Sequence, residues 1–77
     1  MKAADPSRVR LAALLKQLRS DAGLRQADLA QRLGEPQSFV SKYESGEQRL
    51  DLVELKRICK ALGVCLTDVV RQFEEEK

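Results

Sequence analysis

Residues 26–45 read QADLAQRLGEPQSFVSKYES, and the rest of the chain is built around them. Leu29, Ala30 and Leu33 recur at helical spacing, so a first short helix has one buried face. Gly34 follows the last periodic residue, where a left-handed conformation ends a helix without a Cβ penalty. Pro36 can stand only at a helix start and sets the second helix there. The pattern resumes at Val40 and Tyr43, and Gly46 marks the next stop. Two helices crossing steeply need a small residue at their contact, and Ala30 is placed for it. The stretch reads as two helices joined by a tight turn.

Outside this stretch the pattern stays helical. Asp5 can cap a first helix with Pro6 at its first position. Leu11, Leu15, Leu18 and Ala22 then share one face, widened by Leu14, and Gly23 closes the helix. Leu24 is expected as a buried entry to the second helix. Asp51 and Glu54 are spaced as an acidic capping box that opens a fourth helix. Its buried face is expected to hold Leu52, Leu55, Ile58, Cys59 and Leu62, with Gly63 as its stop. Val64 re-enters the core, and a fifth helix begins near Leu66 with Val69, Val70 and Phe73 on its apolar side. The expectation is an all-α, five-helix domain spanning residues 1–77, with a core over about 8–73 and frayed ends at residues 1–4 and 74–77.

Composition narrows the function. The chain has 77 residues, room for one small core. With aromatics at 4%, that core rests on Leu, Val, Ile and Ala. No apolar run approaches the roughly 18 residues of a membrane span, and no signal-peptide pattern opens the chain. Cys59 and Cys65 do not form a C-x-x-C pair, and the chain has no His, which argues against a metal site or a cofactor. Cys59 falls among core positions and reads as a small hydrophobe. Without a nucleophile–base pairing or a metal set, no enzyme chemistry is expected, and reduced thiols fit a cytoplasmic chain. The net charge is only +2, but residues 1–46 carry eight Lys or Arg against five acids, while residues 47–77 carry six against seven. The basic excess lies on the half that holds the two-helix motif.

The outer side of the motif's second helix is polar: Gln37, Ser38, Ser41 and Lys42. A DNA major groove, about 12 Å wide, admits one helix, and its base edges are read by hydrogen-bonding side chains. Gln37 has the geometry to pair with adenine, Lys42 to reach guanine or a phosphate, and the two serines permit close approach. Two readings of Phe39 stay open, contact with a thymine methyl or sugar and packing on the neighbouring helix. Arg25 stands where Ser, Thr, Asp or Asn would cap the helix that starts at Gln26, with Asp28 three residues on. It reads either as a loose start or as a phosphate contact.

Three blocks, LLKQLRSDAGLRQADLAQRLG, PQSFVSKYESGEQRLDL and LKRICKALGV, occur in an order and spacing that resemble the lambda-repressor-like helix-turn-helix proteins, the XRE family. The resemblance covers about residues 8–73. It departs from the family pattern at Arg25, where Ser or Thr is usual, and at Pro36, where a capping residue is usual. It implies sequence-specific binding of double-stranded DNA by a small transcriptional regulator, with Gln37, Ser38 and Lys42 at base-reading positions. Gln26 is implied to hold a phosphate and brace the third helix, Arg49 to meet the DNA backbone, and Arg19 and Glu44 to form a structural ion pair. Useful specificity normally takes two copies, so a homodimer on a palindromic site, acting as a repressor, is expected. Val69, Val70 and Phe73 are the expected dimer interface. An antitoxin or adaptor that binds a partner protein and autoregulates its operon is the alternative.

Overall fold

A computed structural model describes residues 6–75. It contains five helices: α1 (Pro6–Asp21), α2 (Gln26–Leu33), α3 (Gln37–Glu44), α4 (Leu52–Leu62) and α5 (Leu66–Glu75). The expected cap Asp5, the expected frayed start and the last two residues lie outside the described range. α2 packs on α3 and α4, α1 covers α3 and α5, and α4 meets α5.

The turn that defines the motif is built as its residues dictate. Gly34 adopts φ +69°, its N–H donates to the Gln31 carbonyl, and the Glu35 N–H donates to the Ala30 carbonyl at 3.0 Å. This pair of bonds satisfies carbonyls that the end of a helix otherwise leaves free. Pro36 stays extended at φ −67° and ψ 154°, just outside α3, and its carbonyl accepts from the Phe39 N–H at 3.0 Å. An eight-residue helix is far shorter than the roughly 12–15 residues that persist alone in water. α3 is therefore held by packing, through Val40 and Tyr43, both fully buried.

Leu15, Leu29, Val40, Tyr43, Ile58, Cys59 and Val69 form the centre of the core, each under 2% exposed. Ala30, at 3%, fills the expected small-residue position between α2 and α3. Burial pushes the Cys59 thiol above its ordinary range, as befits a packed hydrophobe. Leu24 is half-buried at the entry to α2.

Two expectations about faces are corrected. Ala22 lies past the end of α1 and is exposed, whereas Ala12 is buried in its place. Leu52 is 68% exposed instead of buried. Spacing assigns it to the inner stripe of α4, but α2 meets α4 further along. Arg32 Nη1 donates to the Ala61 carbonyl and Arg57 Nη2 to the Leu33 carbonyl. These α2–α4 bonds lie at Arg57 and Ala61, away from the first turn of α4.

Those two arginines cap each other's helix. Each places a cation on the free C-terminal carbonyls of the neighbouring element, where the helix dipole favours it. With Lys60 they line an open cleft of about 510 Å³, and Arg57 also meets Glu35 at 3.6 Å. The cations there answer two helix C-termini and a carboxylate, which makes the cleft a structural clamp between α2 and α4.

Candidate nucleic-acid interface

Gln37, Ser38, Ser41 and Lys42 are all exposed, and at helical spacing they share one side of α3. Eight residues make a helix about 12 Å long, close to the width of a major groove. Phe39, flanking this face, is half-buried and meets Tyr43 edge-on, with ring centroids 5.5 Å apart and planes at 70°. Packing is therefore the role the geometry gives Phe39.

The polar face of α3 is tied to α1 by a chain of polar side chains. Arg19 Nε donates to Glu44 Oε2 at 2.7 Å and Arg19 Nη2 to Glu44 Oε1 at 3.0 Å. Its Nη1 donates to the Leu24 carbonyl at 2.7 Å. The two side chains are 11% and 3% exposed, so this fork-to-fork pair lies out of water. Hydrogen bonding to Glu44 raises the Arg19 guanidinium above its ordinary value and outweighs desolvation. Gln26 Nε2 donates to the same Glu44 Oε1 at 3.0 Å, and Gln37 Nε2 donates to Gln26 Oε1 at 3.4 Å. Arg19, Glu44, Gln26 and Gln37 thus form one line from the first helix to the first residue of α3.

Helix starts reinforce this geometry. α4 begins with a complete capping box: Glu54 N–H donates to Asp51 Oδ1 at 2.7 Å and Asp51 N–H to Glu54 Oε1 at 2.9 Å. α2 and α3 begin at Arg25 and Pro36, neither of which caps through its side chain. Neither side chain offers an acceptor to the first turn of its helix, and in α3 it is the Pro36 carbonyl that meets the Phe39 N–H. The positive end of a helix dipole favours an anion.

Arg25 itself is engaged. Its backbone N–H donates to Asp28 Oδ2 at 2.9 Å, while Nε and Nη2 reach the two carboxylate oxygens at 3.1 and 2.9 Å. These bonds, the Arg25 side chain first, hold Asp28 down at about 2. A depressed carboxylate lends stability that is complete above the ordinary value of 3.8 and is lost as the pH falls through 2. NMR titration of Asp28 is expected to give a midpoint near 2, and Arg25→Ala to return it toward 3.8. An unchanged midpoint in Arg25→Ala would show that the pair does not control it.

Among the described residues Lys42 and Arg49 are exposed and take part in no ion pair. The expected dimer residues are differently placed. Val69 is 1% exposed and belongs to the monomer core, so it has no surface to offer a partner. Phe73 is half-buried under the Arg10 guanidinium, 4.6 Å above its ring, and its carbonyl accepts from Arg10 Nη2 at 2.9 Å. Of the three, Val70 alone is open, at 42%. Sequence reasoning missed Arg10 because its partner lies 63 residues away. No group of three or more potential metal ligands exists among the described residues, and none of their helices is long and apolar enough to cross a membrane.

The helix-turn-helix domain family matches residues 10–73. An XRE-family like protein from Pseudomonas syringae pv. tomato str. DC3000 is 46% identical, with 84% of this chain and 83% of that one covered and a TM-score of 0.74. The clp gene regulator ClgR from Corynebacterium glutamicum is 26% identical, with 94% and 77% covered and a TM-score of 0.82. The restriction-modification controller protein C.Esp1396I, solved as a tetramer with its natural 35 base-pair operator, has the same fold at 22% identity, with 94% and 95% covered and a TM-score of 0.86. No curated protein matches the chain by sequence. The matched family, the 46% identical relative and the α2–turn–α3 geometry place the chain in the XRE-type family of helix-turn-helix DNA-binding proteins.

Proposed function

We propose that this DNA-binding transcription regulator is a repressor that reads double-stranded DNA by laying α3 in the major groove. The observation that carries the proposal is the exposed polar side of α3, anchored through Gln26 and Glu44 to a buried arginine. Such a face is rigid before DNA arrives, so little ordering cost remains to be met on binding. Gln37, Ser38, Ser41 and Lys42 meet base edges. Arg25, Gln26 and Arg49 meet phosphates and set the register.

The protein acts in the cytoplasm, without chemistry or cofactor, through the helix-turn-helix domain over residues 1–77 with its core at about 8–73. Its site is palindromic and holds two copies, because one short helix spans too few base pairs for useful specificity. The operator-bound tetramer of C.Esp1396I supports this use of the fold.

Selection of bound sequences from a random duplex pool, followed by titration over a range of salt, tests the reading. The expected result is an enriched symmetric motif and an affinity whose logarithm falls linearly with log salt, by about 0.9 per phosphate neutralised. Enrichment of nothing, or binding indifferent to salt, overturns it.

A further inference from the structure

Tyr43 carries a hydroxyl that the fold leaves unanswered. The residue is 1% exposed, and among the described residues its oxygen has no hydrogen-bond partner. Burial first, and Glu44 second, raise the phenol above its ordinary pKa, so at neutral pH the hydroxyl keeps its proton as a donor. Nearly all buried polar groups in folded proteins are hydrogen-bonded, so an unpartnered one calls for a partner from outside the chain.

Tyr43 lines a cavity of about 20 Å³ with Ala12 and Leu15 of α1 and Gln48 of the loop between α3 and α4. That is room for one water-sized group. Arg8, Leu11 and Leu50 also line it, and the same three line an open cleft of about 290 Å³ that includes Arg49 and Phe73. The two spaces therefore adjoin, the small one at the buried end. Together they reach the roughly 300 Å³ at which small-molecule sites begin.

The polar groups sit at the two ends. At the buried end are the hydroxyl and the Gln48 amide, which offers donors and an acceptor. Leu11, Leu50 and Phe73 make the walls apolar. The cleft holds Arg8 and Arg49, neither of them in an ion pair, and among the described residues no carboxylate lines either space. Two guanidiniums without a counter-charge, beside an apolar wall, match a carboxylate on an apolar body.

We infer that this pocket binds a small organic carboxylate, with its apolar body on Leu11, Leu50 and Phe73, its anion on Arg8 and Arg49, and a hydroxyl at the end lined by Tyr43 and Gln48. Arg49 is also assigned to the DNA backbone, so on the DNA-binding reading above the ligand competes with a phosphate for it. The pocket is then an effector site: with ligand bound, the chain has one phosphate contact fewer.

The probe is 4-hydroxyphenylacetate, a ring with a carboxylate at one end and a hydroxyl at the other. Titrated into the full chain without DNA, it is expected to shift the amide resonances of Leu11, Gln48 and Leu50 along saturable curves. The expected midpoint is about 1 mM, the strength that ordinary ligand efficiency gives a molecule of this size. Tyr43→Phe removes only a hydroxyl that is unpartnered in the free chain, so the fold stands. It is expected to weaken the probe about 2–10-fold, and Arg8→Gln, which removes a charged partner, by more than about tenfold. Phenylacetate, which lacks the hydroxyl, is expected to bind the unaltered and Tyr43→Phe chains alike. Shifts that do not saturate, or a midpoint that neither substitution moves, overturn the site.

On a random duplex the saturating probe is expected to weaken the unaltered chain, by no more than Arg49→Ala does, and to leave Arg49→Ala unchanged. Acetate at the same concentration controls for ionic strength. Duplex affinity that stays unchanged while the probe is bound overturns the competition for Arg49. Failure to bind any duplex, with the probe still bound, overturns the DNA reading and leaves the pocket standing.

Discussion

Arg19→Ala is expected to lower the unfolding free energy by about 3–5 kcal/mol, the usual consequence of removing one partner from a buried ion pair. The Glu44 carboxylate is 3% exposed, so without Arg19 it keeps a charge in the interior with only the Gln26 amide to hold it. The Leu24 carbonyl loses its 2.7 Å donor in the same substitution. Small domains have roughly 5–15 kcal/mol of stability in total, so the loss takes a large share of the margin. At about 4–8 °C per kcal/mol for a domain of this size, the melting temperature drops by at least about 12 °C.

Replacing both partners separates the worth of the pair from the penalty of orphaning a charge. Arg19→Met with Glu44→Leu fills the site with apolar groups and is expected to cost far less than Arg19→Ala, because no ion is left buried. Urea unfolding followed by circular dichroism measures both. A cost below about 1 kcal/mol for Arg19→Ala, the range of solvent-exposed pairs, would place the pair in water and sink the account. The Arg25–Asp28 pair makes the contrast: its arginine side chain is 82% exposed, so water and salt screen it.

Helix ends were legible in the sequence because their signals are local. Gly34, Pro36 and Gly63, with the Asp51 and Glu54 spacing, place boundaries that the structure repeats. Each acts within four residues of itself, so no tertiary knowledge is needed. Faces were less legible. Periodicity says which side chains share a stripe, and burial depends on what lies across from it. Leu52 continues the stripe of Leu55, Ile58 and Leu62, yet it is exposed. Val69 and Phe73 look like spare apolar surface in the sequence, yet α1 and α4 cover that side of α5.

Long-range polar contacts lie beyond periodicity altogether. Arg19 and Glu44 are 25 residues apart, and only the resemblance to a known family pointed to them. Nothing comparable pointed to Arg32 and Arg57, whose capping of each other's helix follows from how α2 crosses α4. The charged residues of the proposed DNA face are visible by type. What Arg25 does in the free chain is visible only by geometry, since its spacing marks Asp28 as a helix-start residue and not as a side-chain partner.

Gln37→Ala is expected to cost about 1–3 kcal/mol on the selected site, roughly 5–150-fold in affinity, and to relax preference at a single base pair. A side-chain amide carries two N–H donors and one acceptor oxygen. In the free chain one donor of Gln37 is spent on Gln26, at a long 3.4 Å. The second donor and the oxygen remain, the pair needed to engage the N7 and N6 of one adenine together. The bond to Gln26 favours one orientation of the amide and lowers the ordering cost of its discrimination. Arg49→Ala is expected to act differently, because a guanidinium on phosphate carries no sequence information. It weakens cognate and random duplexes by the same factor and flattens the salt dependence by about one phosphate. Gln26→Ala lies between the two, since it removes a phosphate donor and also frees the Gln37 amide to rotate. It should lose affinity on every duplex and lose a further part of its discrimination at the base pair Gln37 reads. Equal losses for Gln37→Ala and Arg49→Ala on random DNA would mean that α3 grips the backbone instead of reading bases, and the brace from Arg19 would then serve stability alone.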